Sequence, residues 1–149
     1  MLLYQNGLIK LDYDPGKDIL CVQYPDLHEF LLPEIHHSVD VIIETVRNYD
    51  IKSLLLDGRQ TIVTTPPEYG REIALKLATG LAHTRLQKLA RLESFNPEVE
   101  KRAIANEQAV HTTVSPPFEL KNFTDEGQAR AWLSAEKNLS NVSAPNTSL

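Results

Sequence analysis

At 149 residues, with 42% hydrophobic and 23% charged residues, the chain reads as one soluble domain able to bury roughly two-thirds of its unfolded surface. A formal net charge of −5 argues against non-specific nucleic-acid binding, which needs clustered Lys and Arg, and no apolar stretch approaches the ~18 residues of a membrane span. Cys21 is the one cysteine, which excludes an intramolecular disulfide and a Cys-based zinc cluster; with an opening, "MLLYQNGLIKLDYD", that lacks the regions of a signal peptide, a cytoplasmic setting is expected.

Two short apolar runs flank Asp14-Pro15-Gly16-Lys17-Asp18, and Pro followed by Gly suits a tight turn. A hairpin is expected there, with strands near 8–13 and 19–24. From His28 to Tyr49 apolar residues recur at Leu31, Ile35, Val39, Ile42 and Val46, the spacing of one helical face, with Pro33 tolerable in the first turn. "IKSLLLD" has no helical period and predicts an inner strand covered on both faces. Tyr69, Ile73, Leu77 and Leu81 predict a second helix ending near Gly80, and "TRLQKLARLES" a strand around 86–92.

Asn96 and Pro97 then suit the N-cap and first position of a polar helix to about Ala109. "FELKNF" predicts a strand with Phe118, Leu120 and Asn122 on one face. Thr124 is the expected cap of a last helix presenting Ala129, Trp132 and Leu133 to a core. One domain over residues 1–135 is expected, and the polar segment 136–149 reads as a disordered tail. The predicted order, ββαβαβαβα, demands crossovers, so the fold class is α/β with a mixed, mostly parallel sheet and an N-terminal hairpin.

Asp57 lies at the carboxyl end of the central strand, where open α/β sheets gather ligands. As a phospho-acceptor it would need acidic company for a divalent cation, and the nearest candidate is the lone Asp26. As a dehalogenase-type nucleophile it would want a second Asp where Arg59 stands. The preferred reading is a carboxylate that accepts backbone hydrogen bonds in the turn or pairs with Arg59. Thr65-Pro66-Pro67-Glu68 matches a capping box, although Pro67 disfavours helical geometry at Pro66 and at least one amide donor is missing, so an anion cradle is not expected.

His36 and His37 point about 100° apart on one helix, and no His-x-x-x-His spacing lies beside an acid, so neither metal nor cofactor is expected. Cys21 sits in an apolar strand as a small core residue, and no Gly-x-Ser-x-Gly elbow occurs. Glu68 with Arg71, and Glu72 with Lys76, have the spacing of a solvated helical face.

Three segments together resemble the small bacterial SpoIIAA-like proteins of the STAS/SEC14 type: "LDYDPGKDILCVQYPD", "IKSLLLDGRQTIVTTPPEYGRE" and "FELKNFTDEGQARAWL". The resemblance spans about residues 4–135 and implies a β/α superhelix. Anti-sigma-factor antagonists of this fold carry a phosphorylated Ser in an Asp-Ser-Ser-Gly segment. Here Asp57-Gly58-Arg59-Gln60 occupies that place, which leaves Thr61, Thr64 and Thr65 as the nearby hydroxyls. Sec14-like relatives enclose a lipid within a larger domain, and the additional helical region is absent here.

The resemblance implies a non-enzymatic regulatory or protein-interaction module, with Asp57, Arg59, Thr65 and Arg71 as the candidate interaction surface. The alternatives are a small-ligand or lipid-binding module with a pocket walled by Tyr69 and Ile73, and a threonine phospho-switch. An open sheet edge would also suit a homodimer.

Overall fold

In the computed structural model, which describes residues 1–135, the chain opens with three strands: β1 (Leu2–Gln5), β2 (Lys10–Asp14) and β3 (Ile19–Gln23). It then alternates through α1 (Leu32–Asn48), β4 (Ser53–Asp57), α2 (Pro67–Ala82), β5 (Lys88–Leu92), α3 (Pro97–Thr113), β6 (Glu119–Phe123) and α4 (Glu126–Ser134). The expected tail, 136–149, lies outside the described residues. The strands form one sheet in the order β1-β2-β3-β4-β5-β6, antiparallel across the first two pairs and parallel across the other three.

The α/β class and the mixed sheet are as expected, with one strand more than predicted at the front. Asn6 builds the extra turn: its Oδ1 accepts from the amides of Leu8 (2.7 Å) and Ile9 (2.8 Å), and the chain returns as β2. In the β2–β3 hairpin, Asp14 Oδ1 accepts from the amide of Gly16 at 3.1 Å. Asp18 takes the left-handed conformation (φ 56°), which a short polar side chain tolerates. Its carboxylate accepts from the Tyr13 hydroxyl at 2.7 Å and the Lys52 amide at 3.2 Å, tying the hairpin to the start of β4.

Prolines set the helix starts. Pro33 has no N–H for an i−4 bond, so α1 begins at Leu32 and the expected turn from His28 becomes a single 3₁₀ turn, Glu29–Leu31. Pro66 is extended (ψ 154°) because Pro67 follows it, so α2 begins at Pro67 with Pro66 as N-cap. The expected Thr65–Glu68 capping box does not form, since Thr65 lies one residue too early to cap.

α2 also runs past Gly80 to Ala82, and Gly80 serves packing instead: a Cβ there would lie 2.8 Å from Ile43 Cγ1 and 3.1 Å from Cγ2 on α1. Asn96 caps α3 as expected, its Oδ1 accepting from Glu98 N at 2.9 Å. Asp125, not Thr124, caps α4, accepting from Gln128 N at 2.8 Å.

Each parallel step from β3 to β6 moves one strand in the same direction. With right-handed crossovers this puts α1, α2 and α3 on one face. Leu20, Val22, Leu54, Leu56 and Leu89 project into that core and meet Ile35, Val39, Ile42, Ile73 and Leu77. α4 covers the other face, where Ile19, Leu55, Ala90 and Leu92 meet Ala129 and Leu133. β4 is therefore covered on both faces, which is why its run of leucines shows no alternation.

Candidate functional site

The carboxyl end of β4 delivers Asp57 into a ladder of charge. Asp57 Oδ1 accepts from the amide of Arg59 (3.1 Å) and from its Nε (3.0 Å), and Oδ2 accepts from Nη2 at 2.8 Å. The same Nη2 donates to Glu126 Oε1 at 3.0 Å, and Glu126 Oε2 accepts from Arg130 Nε at 2.8 Å. The Arg59 guanidinium holds the Asp57 carboxyl below the usual carboxylate range, and Arg130 with Arg59 does the same to Glu126. Asp57 and Arg59 thus come together as a bidentate pair fastening the strand end to the first turn of α4. A carboxylate bonded in this way is a poor nucleophile.

Three loops meet beside this pair and are stitched by their backbones. Leu27 N donates to Ile62 O (2.8 Å), Thr64 N to Leu27 O (2.9 Å), and Phe95 N to Arg59 O (3.0 Å). Asp26 Oδ1 accepts from Ile62 N at 2.8 Å, and Thr61 Oγ1 donates to Tyr24 O at 3.2 Å. The result is a platform around a polar groove of about 570 Å³, lined in part by Asp26, His28, Asp57, Arg59 and Phe95. Three apolar side chains stand out of it into solvent: Phe30 at 80% exposure, Ile62 at 55% and Phe95 at 70%. The ring of His28 stacks on Phe30, with centroids 5.7 Å apart. None of the three apolar residues was singled out from the sequence, where nothing distinguishes an outward-facing Ile from a core one.

The other predicted residues are dispersed. Arg71 is exposed on α2. Tyr69 donates its hydroxyl to Glu29 Oε2 at 3.3 Å, and Ile73 is fully buried against the core. Thr65 is only 2% exposed and belongs to the interior; its carbonyl accepts from Arg102 Nη1 at 2.6 Å, while its Oγ1 has no hydrogen-bond partner among the described residues. Thr61 is buried as well, which leaves Thr64 as the exposed hydroxyl of the three threonines, within 2.8 Å of His28 Nδ1.

Beneath α2 and α3 lies a second, apolar cavity of about 140 Å³. Leu27, Leu56, Leu77, Leu89, Val110 and Phe118 form its walls, and Thr65 borders it. Tyr69 and Ile73 are outside this lining, because the side of α2 that borders it carries Gly70, Ala74, Leu77, Ala78 and Leu81. Gly70, Ala74 and Ala78 on α2 and Ala103 on α3 are too short to fill the space they border. Arg91 on β5 closes one side, pairing with Glu100 and donating to Asn122 Oδ1 at 3.0 Å, while Asn122 Nδ2 donates to Glu107 Oε1 at 2.8 Å.

His83 Nδ1 bonds Thr79 O at 2.8 Å at the end of α2, and Lys76 Nζ on α2 donates to the His36 carbonyl on α1 at 3.3 Å. Lys76 also reaches Asp40 on α1 at 3.2 Å, so it joins two helices. Among the described residues no group of three or more His, Cys, Asp or Glu is placed to hold a metal ion. Cys21 packs half-buried toward α4, and burial pushes its thiol up. No described helix is long and apolar enough to cross a membrane. Comparison of the chain with protein families, curated proteins and solved structures yields no match.

Proposed function

We propose that the chain is a SpoIIAA-like domain that acts as a non-enzymatic regulatory module in the cytoplasm, binding a protein partner through the platform at the carboxyl end of its sheet. The observation that carries this reading is the set of three exposed apolar side chains, Phe30, Ile62 and Phe95, on loops fixed to one another by backbone hydrogen bonds. Loops held rigid by a scaffold are where binding residues concentrate, and an apolar side chain left in water there gains by being covered. The strand order supports the family reading, since stepping in one direction with the crossover helices α1, α2 and α3 on one face is what a β/α superhelix requires. It also means that no reversal of strand order opens a switch-point crevice, so the loops themselves must form the contact surface.

Phe30→Asp, Ile62→Asp and Phe95→Asp together change only exposed positions, so the triple variant should keep its circular dichroism and melting temperature. Pull-downs from the native host's cytosol, with wild type and triple variant in parallel, give the test. A partner retained by the wild type and lost by the variant supports the platform. A partner held equally by both counts against it.

A further inference from the structure

We infer that the apolar cavity between α2, α3 and the sheet is a binding site for a compact, uncharged molecule, about one ring in size, that bears a single hydroxyl or carbonyl group. This is independent of the partner proposed for the platform. The volume, about 140 Å³, compares with the ~150 Å³ known to accommodate benzene, so the occupant is small. The wall is mostly apolar, with Leu, Val, Ala and Phe side chains beside Thr61, Arg91, Arg102, Asn106 and Glu107, which favours an apolar body for the occupant.

Thr65 supplies the remaining feature. It borders the cavity, is 98% buried by the complement of its 2% exposure, and its hydroxyl is the buried side-chain polar atom without a partner among the described residues. A buried hydroxyl left unpaired is costly, and native structures pair nearly all such groups. Thr61 Oγ1 is already bonded to Tyr24 O, so the Thr65 hydroxyl is the buried hydroxyl of the lining left for an occupant to pair. Charge on the occupant is disfavoured by the mostly apolar wall. Of the two arginines that border the space, Arg91 is engaged by Glu100 and Asn122, and Arg102 turns Nη1 to the Thr65 carbonyl. The site therefore calls for one hydrogen bond and an apolar remainder.

Phenol and toluene, nearly identical in shape, make the discriminating probes, with methyl NMR of the intact chain following Leu56, Leu77 and Leu89. Both probes are expected to shift these methyls saturably. Thr65→Val should weaken phenol relative to toluene by about fivefold to tenfold, the effect of one net hydrogen bond, while Thr65→Ser should retain phenol. Persistent toluene binding by Thr65→Val would show that the cavity survives the substitution. Ala103→Phe, which fills the space from α3, should abolish binding of both. The inference is overturned if neither probe moves the methyls up to its solubility, if Ala103→Phe leaves binding unchanged, or if the phenol-to-toluene ratio is the same in Thr65→Val as in wild type.

Discussion

Asp57→Ala should loosen α4 from the sheet, and the cost can be worked from the ladder. Asp57 accepts three hydrogen bonds from Arg59, with side-chain exposures of 16% for the acid and 28% for the base. A hydrogen bond to a charged group contributes about 1.5–3 kcal/mol, and partial access to water puts the loss here near 2 kcal/mol. For a domain of this length that lowers Tm by about 6 °C. Arg59→Ala should cost about as much, and the double variant only slightly more, leaving a coupling near 1.5 kcal/mol. Glu126 is 38% exposed, so its pair with Arg59 is discounted to about 0.5 kcal/mol.

Trp132, the chain's one tryptophan, makes the assay local. It sits on α4 with its ring 5.7 Å from Phe123 and 4.9 Å from Lys88 Nζ, so its emission reports docking of the helix. The folded carboxyl of Asp57 titrates below its unfolded value of about 3.9, so the stabilisation is present above that pH and is lost as pH falls through the depressed value. The gap between wild type and Asp57→Ala should accordingly close in acid. A coupling below about 0.3 kcal/mol, or a gap that widens as pH falls below about 3.9, would refute the role given to this pair.

Gly80→Ala should destabilise by about 1–3 kcal/mol through overpacking against Ile43, and Ile43→Ala in the same chain should recover much of that increment in denaturant titrations. Thr65→Val should raise stability by about 1 kcal/mol in chemical denaturation, since it replaces an unpaired buried hydroxyl with a methyl of the same shape. Two tyrosines should ionise late in a tyrosinate absorbance titration. Tyr13 is pushed up to about 12 by burial and then by its bond to Asp18, and Tyr24 is pushed up to about 12 by burial. Because these folded values are raised, the stability they confer is complete below about pH 10 and is lost as pH rises through 12; Tyr13→Phe should remove one late proton.

How far the fold can be read from the residues depends on whether the signal is local. The hairpin at Asp14–Asp18, the leucine run of β4 and the Asn96 cap are local, and all are where the residues place them. β1 was missed although Asn6-Gly7 is itself a hairpin signal, because four residues show too little alternation to stand as a strand alone. Thr124 and Asp125 are both good caps in succession, and only the backbone chooses between them. The Asp57–Arg59 pair was legible at a spacing of two residues, whereas Glu126 completes the ladder from 67 residues away. The cavity had no local signature: it arises where small residues of α2 face α3, and that pairing exists only once three crossovers have stacked the helices.

Platform and cavity share the segment between β4 and α2. Ile62 faces solvent, while Gly58, Thr61, Val63 and Thr65 border the cavity, and Thr61 and Tyr24 also line the groove. One short stretch of backbone therefore forms a wall of both spaces, pinned by Asp26 on one side and by Arg102 on the other. An occupant of the proposed cavity site that displaced Thr65 would act on the loop that carries Ile62, and a partner on the proposed platform would act back on Thr65 by the same free energy. The coupling is as large as the difference in affinity between the two positions of that loop, and no larger. A fold that never reverses its strand order lacks a deep crevice of its own. It can still place the wall of an inner cavity and an exposed outer face on one loop, and "TIVTTPP" builds that loop with Ile62 outward and Thr65 inward.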